Sequence, residues 1–132
     1  MFLLRIVTPD HEVVREEVEE AQIPGREGYL GLLPGHAPLI SELKIGEITY
    51  KVHGKLQHLA VSWGFLEVLP EQVTVLAEAA EKPEEIDVDR ARAAKERAEK
   101  RLRSPDPEVD VNRAAVALER ALIRLQVASR RS

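Results

Sequence analysis

The chain has 132 residues, 44% hydrophobic and 32% charged, enough apolar material for one small core with an appendage. Its net charge of −4 gives no reason to expect nucleic-acid or membrane-surface binding by the whole chain. It has no cysteine, which excludes disulfides, thiolate catalysis and cysteine-held metals, and no run of about 18 apolar residues that could span a bilayer.

Taken in chain order, Leu3 to Val7 reads as a strand rather than a secretory leader and stops at Pro9-Asp10. Glu12 to Val14 precedes a solvated acidic run, and alternation resumes through Ala21 and Ile23 until Pro24-Gly25. Ile48 to Val52 meets His53-Gly54, a hairpin turn that predicts pairing with Leu56 to Val61. Phe65 to Val68 ends before Pro70, and Val73 to Leu76 closes the series. Short runs punctuated about every ten residues predict a sandwich or barrel, and without βαβ alternation a parallel sheet is not expected.

The composition changes near Pro83. All seven glycines lie between Gly25 and Gly64, and all five aromatics between Phe2 and Phe65. Through Pro83 there are seven Lys/Arg against thirteen Asp/Glu; from Glu84 onward there are twelve against ten. Two structural regimes follow, residues 1–83 and residues 84–132, and the fold class is α+β, mainly β and then α. In the second regime Asp87 is the N-cap of a helix over Val88 to Arg103, which Ser104-Pro105-Asp106-Pro107 ends. Asp110 is the N-cap of a second helix running to Ala128, and the short connection predicts an antiparallel hairpin. Ala91, Ala94, Ala98 and Leu102 form one facing seam; Ala114, Leu118, Ala121, Leu125 and Ala128 form the other. Alanine buries little area at roughly 25 cal/mol per Å², so this hairpin is expected to be marginal alone and to depend on docking or a ligand.

The sequence offers no catalytic constellation. His11, His36, His53 and His58 lack the HxxxH spacing of a helical metal pair, and Ser41 and Ser62 lack a glycine-elbow setting. The glycine-rich stretch Gly28 to His36 is no phosphate loop: His36-Ala37 stands where Lys and Ser/Thr are needed, and Pro34 and Pro38 prevent a helix. It is read as tight turns between sheets. The arginines are more informative. Arg90 and Arg97 share a face of the first helix; Arg113, Arg120 and Arg124 share one of the second. In an antiparallel hairpin Arg90, Arg97, Arg120 and Arg124 can converge near Asp87 and a helix N-terminus, an arrangement suited to polyphosphate. Spacing alone favours their pairing with Glu96, Glu99 and Glu119 on solvated faces.

The residues resemble one family over nearly the whole chain, the epsilon subunit of bacterial F-type ATP synthase. The resemblance lies in Val7-Thr8-Pro9-Asp10, in the specific run Gly28-Tyr29-Leu30-Gly31-Leu32-Leu33-Pro34-Gly35-His36-Ala37-Pro38-Leu39, in Gly64 to Val68 and in Val73 to Ala77. Ile86-Asp87-Val88-Asp89-Arg90-Ala91 is similar to the ATP-recognition motif of some members, whereas Trp63 stands where many members have a second glycine. The resemblance implies a ten-stranded β sandwich that binds the gamma subunit and the c-subunit ring, followed by a hairpin that folds on the sandwich or extends along gamma. Extended, it meets the alpha and beta subunits and inhibits ATP hydrolysis. It further implies an ATP site of Glu81, Ile86, Asp87, Arg90, Ala91, Arg97, Arg120 and Arg124. In it the four arginines neutralise phosphates, Asp87 caps the helix and orients Arg90, and Glu81 and Ile86 approach the adenine. ATP is then a regulatory ligand, with no cofactor for catalysis and no metal. The subunit sits at the cytoplasmic face of the bacterial cell membrane, peripheral through its complex, without inserting and without nucleic acid. Two rival readings are a purely structural rotor subunit that binds no nucleotide and a non-enzymatic binding module of another complex.

Overall fold

The computed structural model describes residues 1–131. Eight strands come first: β1 Phe2–Val7, β2 Glu12–Val18, β3 Glu20–Gly25, β4 Gly28–Leu32, β5 Leu39–Leu43, β6 Gly46–Val52, β7 Lys55–Val68 and β8 Gln72–Glu81. A 3-10 turn at Pro83–Glu85 leads to α1, Val88–Arg103, and α2, Val111–Ala128. The strands form one hydrogen-bonded sheet in the order β2-β1-β8-β7-β5-β3-β4, with β6 bridging β3 and β7. Folded on itself, this sheet makes a sandwich around Phe2, Leu4, Ile6, Ile23, Ile48, Leu59 and Leu66.

Eight strands form where ten were expected, because the two longest serve both layers. The first half of β7 pairs with β6, from Val61 opposite Gly46 to Lys55 opposite Val52; the second half pairs with β5, from Gly64 opposite Leu43 to Val68 opposite Leu39. At the change of layer Leu59 and Val61 give way to Leu66 and Val68 as the core-facing residues, a switch from odd to even positions. β8 makes the matching switch between Ala77 and Ala80. That break in alternation is why Leu56 to Val61 and Phe65 to Val68 read as separate strands. Trp63 and Gly64 absorb the kink with φ of 33° and 149°, and the ladder continues without a loop.

Three further expectations change. β1 and β8 pair in parallel, Leu3 opposite Gln72 through Val7 opposite Leu76, so one parallel ladder exists without a βαβ unit. The whole sandwich is the crossover between these two strands. The strand read as Glu12 to Val14 continues through the solvated acidic run to Val18 as β2, an edge strand whose charges discourage further pairing. Half of the glycine-rich stretch is β4, paired with β3; only the residues after Leu32 turn between strands. The His53-Gly54 hairpin forms as expected, with φ of 50° and 76°, the positive pair that a two-residue turn matching strand twist requires.

Both helices have the expected bounds. Asp87 accepts a hydrogen bond from the Arg90 backbone N–H at 3.1 Å, and Asp110 from that of Arg113 at 3.0 Å. The seam is alanine: Ala91, Ala98, Ala114 and Ala121 are the buried residues between the helices, while Leu102 at the far end is exposed. The hairpin lies on the sandwich through a second, small apolar cluster of Ala60, Ile86, Val127 and Ala128, flanked by Val88 and Ile123.

Candidate functional site

The base of the hairpin is where the two halves of the chain meet, and three of the eight expected site residues, Glu81, Arg120 and Arg124, lie together there. Glu81, at the end of β8, accepts both prongs of the Arg124 guanidinium, at 2.7 Å to Oε1 and 3.1 Å to Oε2. One turn earlier on α2, Arg120 lies over the Trp63 ring, 4.9 Å from its centroid, an attraction between cation and ring quadrupole. Glu81, Arg120 and Arg124 line a cavity of about 150 Å³ with Ile45, Ala60, Val61, Ser62, Ala79 and Ile123.

The remaining expected residues fall elsewhere on the same hairpin. Asp87 is spent as the helix cap. Ala91 is fully buried in the seam, where a larger side chain would push the helices apart. Ile86 is 2% exposed in the docking cluster, and its carbonyl is bonded by Arg131. Arg90 and Arg97 are exposed on α1, and among the described residues neither forms an ion pair. The four arginines are thus divided, two anchored to the sandwich side and two presented to solvent. The expected pairing with Glu96, Glu99 and Glu119 is absent among the described residues; the helix carries instead Arg92 with Asp89.

Sequence reasoning missed a second polar cluster beside this one. Glu47 on β6 is buried, with Gln126 donating to Oε1 at 2.9 Å. Arg130 Nε donates to Oε2 at 3.1 Å and Arg130 Nη2 to Oε1 at 3.2 Å, while His58 Nδ1 lies 3.1 Å from Oε2. Arg131 then donates to the carbonyls of Pro83, at 2.8 Å, and Ile86. No local signal marks Glu47, which reads as an outward polar residue of a strand; its partners Gln126 and Arg130 lie some eighty residues away in sequence.

Burial alone would push the Glu47 carboxyl up. The Arg130 and Gln126 hydrogen bonds, then the Arg130 and His58 charges, outweigh it and hold the group below the ordinary glutamate value of 4.5. A carboxyl depressed in the folded state contributes stability that is complete above its unfolded value and lost as pH falls through the folded value. Acidification below pH 4.5 is therefore expected to loosen the end of α2. Amide exchange of Val127 and Ala128 between pH 6 and pH 3 checks this, and Glu47→Gln should flatten the profile.

Residues 1–83 match the family model for the ATP synthase Delta/Epsilon chain beta-sandwich domain, and residues 84–129 match the one for its long alpha-helix domain. The ATP synthase epsilon chain of Koribacter versatilis is 62% identical over 106 residues, covering 80% of this chain and 75% of that one. The chain belongs to the epsilon-subunit family of bacterial F-type ATP synthase. A fuller match within the epsilon family is the chain from Geotalea daltonii, 50% identical over 128 residues, 96% of this chain and 93% of that one. Among solved structures, a chain of the Euglena gracilis mitochondrial ATP synthase, determined as OSCP, F1 and c-ring, superposes with a TM-score of 0.82. It is 28% identical, with 97% of this chain and 81% of that chain covered. A chain of the Tetrahymena thermophila mitochondrial ATP synthase shares the fold at 11% identity and a TM-score of 0.59. As an epsilon-family member the chain is one subunit of a larger complex, and among the described residues no helix is long and apolar enough to cross a membrane.

Proposed function

We propose that this chain is the epsilon subunit of the rotor central stalk, coupling proton flow to ATP synthesis, and that its hairpin is an ATP-sensitive brake on ATP hydrolysis. The carrying observation is the hairpin itself: an alanine-seamed pair of helices, docked through a small cluster, with Arg90 and Arg97 exposed and unpaired on its outer face. A sandwich face fits the role of subunit contact. Ile40, Phe65 and Leu76, on neighbouring strands β5, β7 and β8, are 76%, 57% and 53% exposed. Single exposed apolar residues are ordinary, but three adjacent ones mark a binding face, here for gamma, with the c ring as the second contact. The released hairpin would meet the alpha and beta subunits, and the subunit would sit peripherally at the cytoplasmic face of the bacterial cell membrane.

The cavity beneath Arg120 and Arg124 is smaller than the roughly 300 Å³ at which ligand pockets begin, so ATP would lie across the outer surface of the hairpin instead of within it. Arg90 and Arg97 would take phosphate directly, joined by Arg120 and Arg124 as these exchange Trp63 and Glu81 for the ligand. Asp87 would keep α1 capped, and Glu81 with the backbone at Ile86, whose side chain is buried, would bound the adenine side. A ligand that binds only the folded hairpin stabilises it by about 2.7 kcal/mol at 100 times its dissociation constant. Falling ATP would then release the brake arm.

Calorimetry of the full chain tests the nucleotide claim. ATP binding weakened at least about tenfold in both Arg90→Ala and Arg124→Ala is expected, the loss of one charge-assisted contact in each. A second reading, a rotor subunit that binds no nucleotide, is favoured by the partners that Arg120 and Arg124 already hold. No heat at millimolar ATP would decide for it. Co-purification with gamma separates both from a freestanding module.

A further inference from the structure

We infer that Glu47 is a latch, independent of nucleotide, that holds the hairpin in its docked state by gripping the end of α2. The latch stands whether or not ATP binds, so it goes beyond the reading above. Among the described residues Glu47 and Ser62 are the buried polar ones, and Glu47 alone of the two carries charge. Both its oxygens are engaged from two directions. His58, one strand over on β7, approaches Oε2 from the sandwich. Gln126 and the forked Arg130 approach from the hairpin, so three of the four contacts belong to the movable element. If the hairpin leaves, the carboxylate keeps only His58 and must recruit water for the rest. The hairpin in turn gives up a bidentate guanidinium contact, the geometry that carries most directional strength.

Position adds to this. The chain enters the hairpin through Lys82 to Asp87, and Arg131 returns beside that entry, donating to the carbonyls of Pro83 and Ile86. Arg130 and Arg131 therefore tie the last turn of α2 to the sandwich on one side and to the entry segment on the other. The opposite end, Arg101 to Pro107, is exposed. Opening must thus begin or end at Glu47, because an undocked hairpin pivots about the segment that Arg131 holds. Ile86, whose carbonyl Arg131 bonds, belongs with Val127 and Ala128 to the apolar docking cluster.

The chain contains no cysteine, so one introduced thiol reports opening without background. In a Val127→Cys background, a position fully buried under the hairpin, the rate of thiol modification in excess reagent without nucleotide measures how often the hairpin lifts. Glu47→Gln and Arg130→Ala are each expected to speed modification at least about tenfold, the loss of a charge-assisted hydrogen bond. Because they remove one shared contact, the double variant should be no faster than the faster single. The near-ultraviolet signal of the sandwich should be unchanged. An acceleration below tenfold in both singles, or effects that multiply in the double, would overturn the latch. Should Glu47→Gln disturb the sandwich, Arg130→Ala decides alone, since Arg130 lies beyond α2 and outside the sandwich core.

Discussion

Replacing Gly64 by alanine is expected to destabilise the sandwich by about 3 kcal/mol or more, enough to lower its melting temperature by roughly 15 °C. Gly64 adopts φ of +149°, and a Cβ built there would lie 1.8 Å from the carbonyl oxygen of Leu76 and 2.9 Å from its carbonyl carbon. Both are backbone atoms of the paired strand, so no side-chain rotation relieves the clash; β8 must move away. It cannot do so freely, because the kink at Trp63-Gly64 is where β7 passes from β6 to β5 and where the core-facing parity changes. Gly31→Ala supplies the contrast. A Cβ there meets nothing within 4 Å, and the change should fall within about 0.5 kcal/mol of the parent. Thermal melts of the two variants beside the parent check both. A loss below about 1 kcal/mol for Gly64→Ala would show that the layer crossing tolerates displacement.

The second large effect should come from Val127→Asp, which is expected to detach the hairpin while leaving the sandwich folded. Val127 is fully buried among Ala60, Ile86 and Ala128. Its two large members, Ile86 and Val127, contribute about 1.5 to 3 kcal/mol each of apolar stabilisation, roughly 5 kcal/mol together. An ionised carboxylate in that cluster costs several kcal/mol when unpaired, which the remaining contacts offset only in part. Leu122→Asp, on the exposed face of α2, should be almost silent. Limited trypsin digestion reads the difference, because twelve Lys/Arg follow Glu84. Rapid loss of the hairpin with a stable fragment ending near Lys82 is expected. If both helices stay as protected as in the parent, docking rests on Glu47, Glu81 and Arg131 and not on the apolar cluster.

Much of the local structure was legible because it is governed by neighbours along the chain. Asp87 and Asp110 cap their helices within three residues, the proline pair after Arg103 stops α1, and His53-Gly54 has the conformational freedom that its turn demands. The division near Pro83 follows from composition, since a glycine- and aromatic-bearing segment and an alanine- and arginine-rich one cannot share one periodicity. The alanine seam was likewise readable from helical spacing.

What distance along the chain separates, only the tertiary structure decided. Alternation cannot show that β7 is one strand, because the kink at Trp63-Gly64 breaks the period that identifies strands. Nor can it show the parallel ladder of β1 and β8, which depends on how the sheet closes. Arginine spacing placed Arg90, Arg97, Arg120 and Arg124 on shared faces, but the partners that separate them, Trp63 and Glu81, come from the sandwich. Glu47 is the extreme case. Its residue type and neighbours describe a solvated strand position, and only docking of the end of α2 makes it a buried carboxylate with three elements around it. Local chemistry determined the elements and their ends by itself; burial and long-range partners, set by packing, determined which of their charges hold the molecule together.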